Sequence, residues 1–230
     1  SLELGRAPTV MELKAARFDA VVTATGSRQV RPPVPGIETA GVVAAVDLLR
    51  DPGRAAGARR AVVVGGGTVG CETALWLSRE LGLAEVSLVE MLPWLMKGVC
   101  TANRGWLIHH LEEAGVRLWN CALLAEVRTG EVRVIRNVSR TVPDPRVTWE
   151  PLLPENVPNP FARKIRVEER EETLGADLVV LAAGAKADDG LYRECLGTFA
   201  APTVRNVGDS HIPGRVLEAV RSGYAAGISV

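Results

Sequence analysis

The stretch from Arg59 to Glu90, RRAVVVGGGTVGCETALWLSRELGLAEVSLVE, holds the residues whose types and spacing carry chemistry. Three glycines stand as Gly65-x-Gly67-x-x-Gly70. They follow the apolar run Ala61-Val62-Val63-Val64 and precede an amphipathic stretch of helical spacing. Such a turn cradles the pyrophosphate of a dinucleotide. Gly65 permits the tight turn out of the strand, Gly67 lets backbone approach the phosphates, and Gly70 lets the helix pack near the strand. A helix opening at Thr68 and Val69 aims free N–H groups and a partial positive charge at the same place. Glu90 lies twenty residues past Gly70, at the end of the next strand. An acid there accepts hydrogen bonds from a ribose 2′-hydroxyl and repels a 2′-phosphate. The expected ligand is therefore NAD(H) rather than NADP(H), with Arg104 the residue to check for a reversal. The bland alternative is a glycine turn that binds nothing, with Glu90 a solvated strand end.

The elements that must position these residues are legible in outline. Residues 9–17 read as a short helix, with Thr9 as cap and Glu12 three positions on. FDAVVTATG (18–26) reads as a buried strand ending in glycine. The proline-rich 28–38 excludes a regular helix, and 44–51 reads as a short helix. Then come a strand at 60–64, a helix at 68–81 and a strand at 85–90. A helix at about 101–114 and a strand at 116–119 follow. From 121 to 150 alternation replaces helical spacing, with a hairpin turn at Thr129-Gly130. Residues 142–160 carry six prolines and read as a long surface loop. The charges of 163–172 read as a solvated edge strand before the apolar strand ADLVVL. A short strand at 204–209 and a helix at 215–230 close the chain. Alternating strands and helices with continuous apolar strands predict an α/β, three-layer, Rossmann-like fold with parallel sheet covered on both faces.

Composition excludes several classes. Lys+Arg and Asp+Glu both number 27, so the formal net charge is zero and bulk electrostatics favour neither nucleic acid nor an anionic membrane. No apolar run approaches the roughly 18–20 residues of a membrane span, and the first residues do not read as a secretory signal. Cys71, Cys100, Cys121 and Cys195 lie far apart without a C-x-x-C pair. They read as reduced thiols of a cytoplasmic protein, neither metal ligands nor a disulfide framework. His109, His110 and His211 form no ligand cluster, so no metal site is expected. No nucleophile–base pair stands out.

Three further stretches gain meaning from their order around the glycine turn. Ala24-Thr25-Gly26 follows one strand, Ala182-Ala183-Gly184 another, and Gly208-Asp209 a third. With Gly65-Gly66-Gly67-Thr68-Val69-Gly70-Cys71-Glu72 they make the chain resemble the two-dinucleotide flavoproteins, the FAD- and NAD(P)-dependent pyridine nucleotide oxidoreductases. The stretches PPVPGIE and GDSHIPGRVLEAVRSGYAAG are most similar to one branch. It comprises the NADH:flavin oxidoreductases with an old yellow enzyme-like barrel, including dienoyl-CoA reductase and trimethylamine dehydrogenase.

The resemblance implies an NAD domain inserted in an FAD domain. Residues 1–56 would be the tail of the first FAD segment, 57–198 the NAD(H)-binding domain and 199–230 the last FAD segment. Ala24, Thr25, Gly26, Gly184 and Gly208 would line cofactor sites, and Asp209 would hold the flavin's ribityl chain. Glu72 would face the nicotinamide half of the NAD site, or serve only as a helix acid favoured by the dipole. Residues 1–56 contain no G-x-G-x-x-G. The expectation is thus a fragment whose FAD pyrophosphate motif, barrel, FMN site and iron–sulfur cysteines belong to a missing N-terminal part of the same parent. The incomplete flavin site and its open apolar face leave room for a homo-oligomer. No redox-active cysteine pair is present, so disulfide chemistry is not expected. Two functions are compatible with these residues. One is an electron-entry region passing hydride from NADH to FAD in the full-length protein. The other is a non-catalytic dinucleotide- or ADP-binding module.

Overall fold

A computed structural model describes residues 2–148 and 164–230. In chain order the elements begin with α1 (Val10–Ala16), β1 (Ala20–Thr23), β2 (Ser27–Gln29), β3 (Val42–Ala44), α2 (Ala45–Arg50) and β4 (Arg60–Val64). Next are α3 (Thr68–Arg79), β5 (Glu85–Val89), α4 (Thr101–Glu113), β6 (Arg117–Trp119), β7 (Ala122–Arg128) and β8 (Glu131–Asn137). Last come β9 (Glu169–Gly175), β10 (Leu178–Leu181), β11 (Ala185–Ala187), α5 (Gly190–Thr198), β12 (Thr203–Asn206) and α6 (Val216–Gly227). Of the expected loop at 142–160, the part from 149 onward lies outside the described residues.

The chain divides into two compact units, Val30–Gly184 and Ser1–Gln29 with Ala185–Val230. The larger is built on a five-stranded sheet ordered β3-β10-β4-β5-β6, every pair parallel. Its central strands carry the apolar runs Ala61–Val64 and Leu178–Leu181 because both faces are covered. Alternation sends successive residues to opposite sides. Ala61 and Val63 join a core with Leu48, Leu77, Ile108 and Leu111 of the helices. Val62 and Val64 join a second core with Leu124, Val132, Val134 and Leu174 of an antiparallel sheet, β7-β8-β9. The buried residues of α3 include Gly70, Cys71, Ala74 and Leu77, and those of α4 are Arg104, Leu107, Ile108 and Leu111. Both sets follow the spacing of one helical face. The fold is thus α/β in three layers, as expected, with the second face covered by the antiparallel sheet.

In the smaller unit β1 pairs with β12 in parallel, and β2 with β11 antiparallel. Val21, Cys195, Ala200 and Ala201 form its small core, against Val10, Leu13, Leu191 and Val204. Thr9 caps α1 through a full capping box with Glu12. The cuts between units fall at 29/30 and 184/185, where the sequence reading has 56/57 and 198/199. Two packing facts account for the difference. Strand β3 lies in the five-stranded sheet beside β10, and Val34 and Ile37 pack on its second core. Helix α5 supplies Cys195 to the core of the smaller unit.

Candidate functional site

The chain leaves β4 toward β5 and β6 and returns on the other side through β10, so β4 is where the strand order reverses. Ligands of parallel sheets bind outside the carboxyl ends of strands at such a point. Gly65 stands there with φ 110°, and a Cβ on it would lie 2.3 Å from the Ala182 carbonyl oxygen. A Cβ on Gly70 would lie 1.8 Å from the Gly65 oxygen, and one on Gly66 2.5 Å from Leu95 Cδ2. These three glycines are demanded by the fold itself. Gly67 is different: φ is −70° and a Cβ would meet nothing within 4 Å. A side chain there would point into open space. Gly67 is the N-cap of α3 without a side-chain cap, and Thr68 and Val69 are exposed in the first turn. Their N–H groups lack partners within the helix.

Glu90 closes the turn from the side. It is 8% exposed. Its Oε2 accepts from the Gly66 N–H at 2.6 Å, and its Oε1 from the Leu92 N–H at 2.7 Å. The carboxylate therefore fastens the glycine loop to the end of β5. Each oxygen retains acceptor capacity for a hydroxyl. Arg104 is 3% exposed, donates to the carbonyls of Val147 and Thr148, and lies over Trp94 at 5.5 Å. It does not line the cavity beside Glu90.

That cavity measures about 680 Å³, within the roughly 300–1,000 Å³ of small-molecule sites. The glycine turn, Glu90, the 182–184 turn, Ala122–Leu124 of β7 and the strap Val30–Val34 line it. Gly184 has φ 91° and accepts from the Val30 N–H. The sequence reading placed Gly65, Gly67, Glu90 and Gly184 here but missed the strap and β7. Prolines and leucines outside any motif gave no chemical signal. Glu72 is exposed and lines a separate hollow of about 240 Å³ with Thr68, Asn103 and Trp106.

Cys71 is buried inside the turn. Desolvation, then the negative charge of Glu90, pushes its thiol up to about 12. It stays protonated and is no nucleophile.

The remaining predicted residues come together in the smaller unit. Thr25 Oγ1 donates to the Asp188 carbonyl, and Gly26, with φ 81°, accepts from the Asp188 N–H at 3.0 Å. Ala24 precedes them directly after β1. Gly208, with φ 63°, donates to Ser222 Oγ at 2.9 Å. Asp209 accepts from the Gly214 N–H at 3.1 Å and from Ser27 Oγ at 3.4 Å. So the turns after β1 and β12 meet through Ser27. Among the described residues no helix is long and apolar enough to cross a membrane.

The chain is similar to a metal reductase of Desulforamulus reducens, 25% identical over 92% of the chain and 30% of that protein's length. It is also similar to an NADH oxidase of Thermoanaerobacter brockii, 30% identical over 90% of the chain and 27% of that protein. In fold it resembles 2-naphthoyl-CoA reductase in complex with 2-naphthoyl-CoA, with a TM-score of 0.72 at 24% identity over 97% of the chain and 28% of that structure. The chain thus spans less than a third of the length of each. The family model described as pyridine nucleotide-disulphide oxidoreductase matches residues 6–200, and the chain belongs to that family.

Proposed function

We propose that this chain is the NADH-docking, electron-entry region of a flavin-dependent oxidoreductase. The observation that carries the reading is Gly67, open to the outside beside a buried Glu90 at the mouth of a cavity of about 680 Å³. Gly67 and the first turn of α3, with Thr68 and Val69, hold the pyrophosphate, and Gly65 and Gly70 shape that turn. Glu90 takes the ribose hydroxyls. The turn at Gly184 borders the same cavity, and Glu72, in the separate hollow beside Thr68, would take the nicotinamide half. When bound, NADH would supply a hydride and FAD would accept it in the full-length protein. In the smaller unit Asp209 holds the flavin's ribityl chain, with Ala24, Thr25, Gly26 and Gly208 shaping the turns around it. The rest of the flavin site, a barrel and any FMN or iron–sulfur centre belong to other parts of a longer parent chain. The similarity to an NADH oxidase supports this reading.

Glu90 sets the nucleotide preference. A 2′-phosphate about 4 Å from its carboxylate costs roughly 1–4 kcal/mol at effective dielectrics between water and a protein surface. Calorimetric titration of the chain should show NADH binding at least several-fold tighter than NADPH. Equal or tighter NADPH binding would overturn the assignment. Stopped-flow mixing of NADH with the full-length flavoprotein separates electron entry from a non-catalytic ADP-binding role. Bleaching of the flavin absorbance is the expected result, and an unchanged spectrum favours the binding module.

A further inference from the structure

The wall of the large cavity carries information about the ligand beyond its phosphates. Among the seventeen described residues that line it, Glu90 alone has a polar side chain, and both of its oxygens already accept backbone N–H groups. Much of the lining backbone is committed as well. Gly65 donates to the Val89 carbonyl, Ala122 to that of Glu90, and Ala182 to that of Val64. Pro32 and Pro33 have no N–H to offer. Beyond Glu90 the lining continues through Met91, Leu92 and Leu123, with the prolines of the strap. Met91 is 65% exposed, Leu92 43% and Leu123 49%, so this end of the cavity opens to water.

From these features we infer that the site is indifferent to the purine of its dinucleotide: it takes reduced nicotinamide dinucleotides carrying adenine, hypoxanthine or guanine alike. The inference rests on the dinucleotide reading above. With the pyrophosphate at Gly67 and the ribose at Glu90, the base falls next along the ligand, against Met91, Leu92 and Leu123. Apolar side chains offer contact area to any purine ring. They cannot distinguish a 6-amino from a 6-oxo group, nor detect a 2-amino group. An apolar pocket discriminates weakly between near-isosteres, whereas a site built to hydrogen-bond a polar group rejects its analogue by about 10⁴-fold or more. The open end keeps the polar edge of each base hydrated, so no base is penalised for its different donors and acceptors. The selectivity of the site then resides in Glu90 and the glycine turn.

The test uses the fluorescence of the reduced nicotinamide. The 230-residue chain is titrated with NADH and with the reduced nicotinamide hypoxanthine and nicotinamide guanine dinucleotides. The three Kd values should agree to better than about tenfold, below the smallest discrimination that one methylene makes in an apolar pocket. Tenfold or greater loss on changing the base, with NADH still bound, overturns base indifference and leaves the dinucleotide site standing. Binding of none of the three overturns both. Leu123→Ala, at a half-exposed position, should weaken all three by a common factor. A change in their ratio would show that the wall does read the base.

Discussion

Glu90 holds two backbone N–H groups at once, and its replacement should therefore act on stability and on binding together. Glu90→Gln keeps one acceptor and turns an amide donor toward a backbone donor, at Gly66 or at Leu92. A lost hydrogen bond to a charged group costs about 1.5–3 kcal/mol. In a domain of this size each kcal/mol moves Tm by roughly 2–4 °C. We expect Tm to fall by roughly 3–12 °C, and the NADH-over-NADPH preference to shrink because the repelling charge is gone. Calorimetry and paired titrations check both; an unchanged preference would remove Glu90 from the ribose site. The glycines make a second pair of outcomes. Gly70→Ala sets a Cβ 1.8 Å from the Gly65 oxygen, so backbone must move. Overpacking of this kind costs roughly 1–3 kcal/mol or more. Gly67→Ala meets nothing and loses at most about 1 kcal/mol at the N-cap. It should spare Tm and weaken NADH, measured side by side with Gly70→Ala. A Gly67→Ala protein with full affinity would place the phosphates elsewhere.

The strands that carry the site are tied at their far ends by a charged clasp. Asp177, just before β10, accepts from the N–H groups of Arg59 and Arg60 at 3.1 and 3.0 Å, and its Oδ1 meets the Arg60 guanidinium at 2.6 Å. The Arg60 hydrogen bond, then the Arg59 N–H, holds the Asp177 carboxyl down at about 2, below its usual 3.8. A carboxyl whose folded value is depressed stabilises the fold above its unfolded value, and that contribution disappears as the pH falls through the folded value. Asp177→Asn should therefore lower Tm at pH 7, with the deficit closing between about pH 4 and pH 2. The clasp lies partly in solvent, so the effect is small. Melting curves of both proteins across that range decide it, and a deficit that persists at pH 2 would assign the loss to packing. The paired register of β4 and β10 brings the turns at Gly65 and Ala182 together, so loosening the clasp should also weaken NADH.

For the molecule as a whole the two cofactors should part company. The larger unit has its own two cores and the complete glycine turn. The smaller has Asp209 and the turns after β1 and β12, but a core of few residues and no glycine-rich phosphate turn of its own. A phosphate turn supplies about three charge-assisted hydrogen bonds of about 1.5–3 kcal/mol each, so flavin bound by Asp209 and these turns alone should be held roughly a thousandfold or more weaker. The purified chain should bind NADH, remain nearly colourless and fail to oxidise it. An absorbance spectrum checks this, and stoichiometric yellow flavin would show a complete site. The smaller unit also exposes apolar side chains. Val22 on β1 is 46% exposed, and Val216, Val220 and Tyr224 on α6 are 79%, 61% and 71%.

Local pattern and short motifs were enough for the three-layer class, the glycine turn and the hairpin at Thr129-Gly130. Each rests on a period or on a residue with a conformational duty, such as Gly130 at φ 80°. Glu90 was legible as a strand-end acid, but the two N–H groups it accepts were not, because the loop that presents them is placed by tertiary packing. The same holds for the division of the chain. That 30–56 packs with the nucleotide unit depends on β3 lying beside β10, a partner more than a hundred residues away. Strands β2 and β11 are three residues each and pair only across that long interval, too short to carry a period of their own. The wall of the cavity was hidden for a related reason. Leucines and prolines announce burial or turns, and only the folded chain shows which of them border a ligand-sized space.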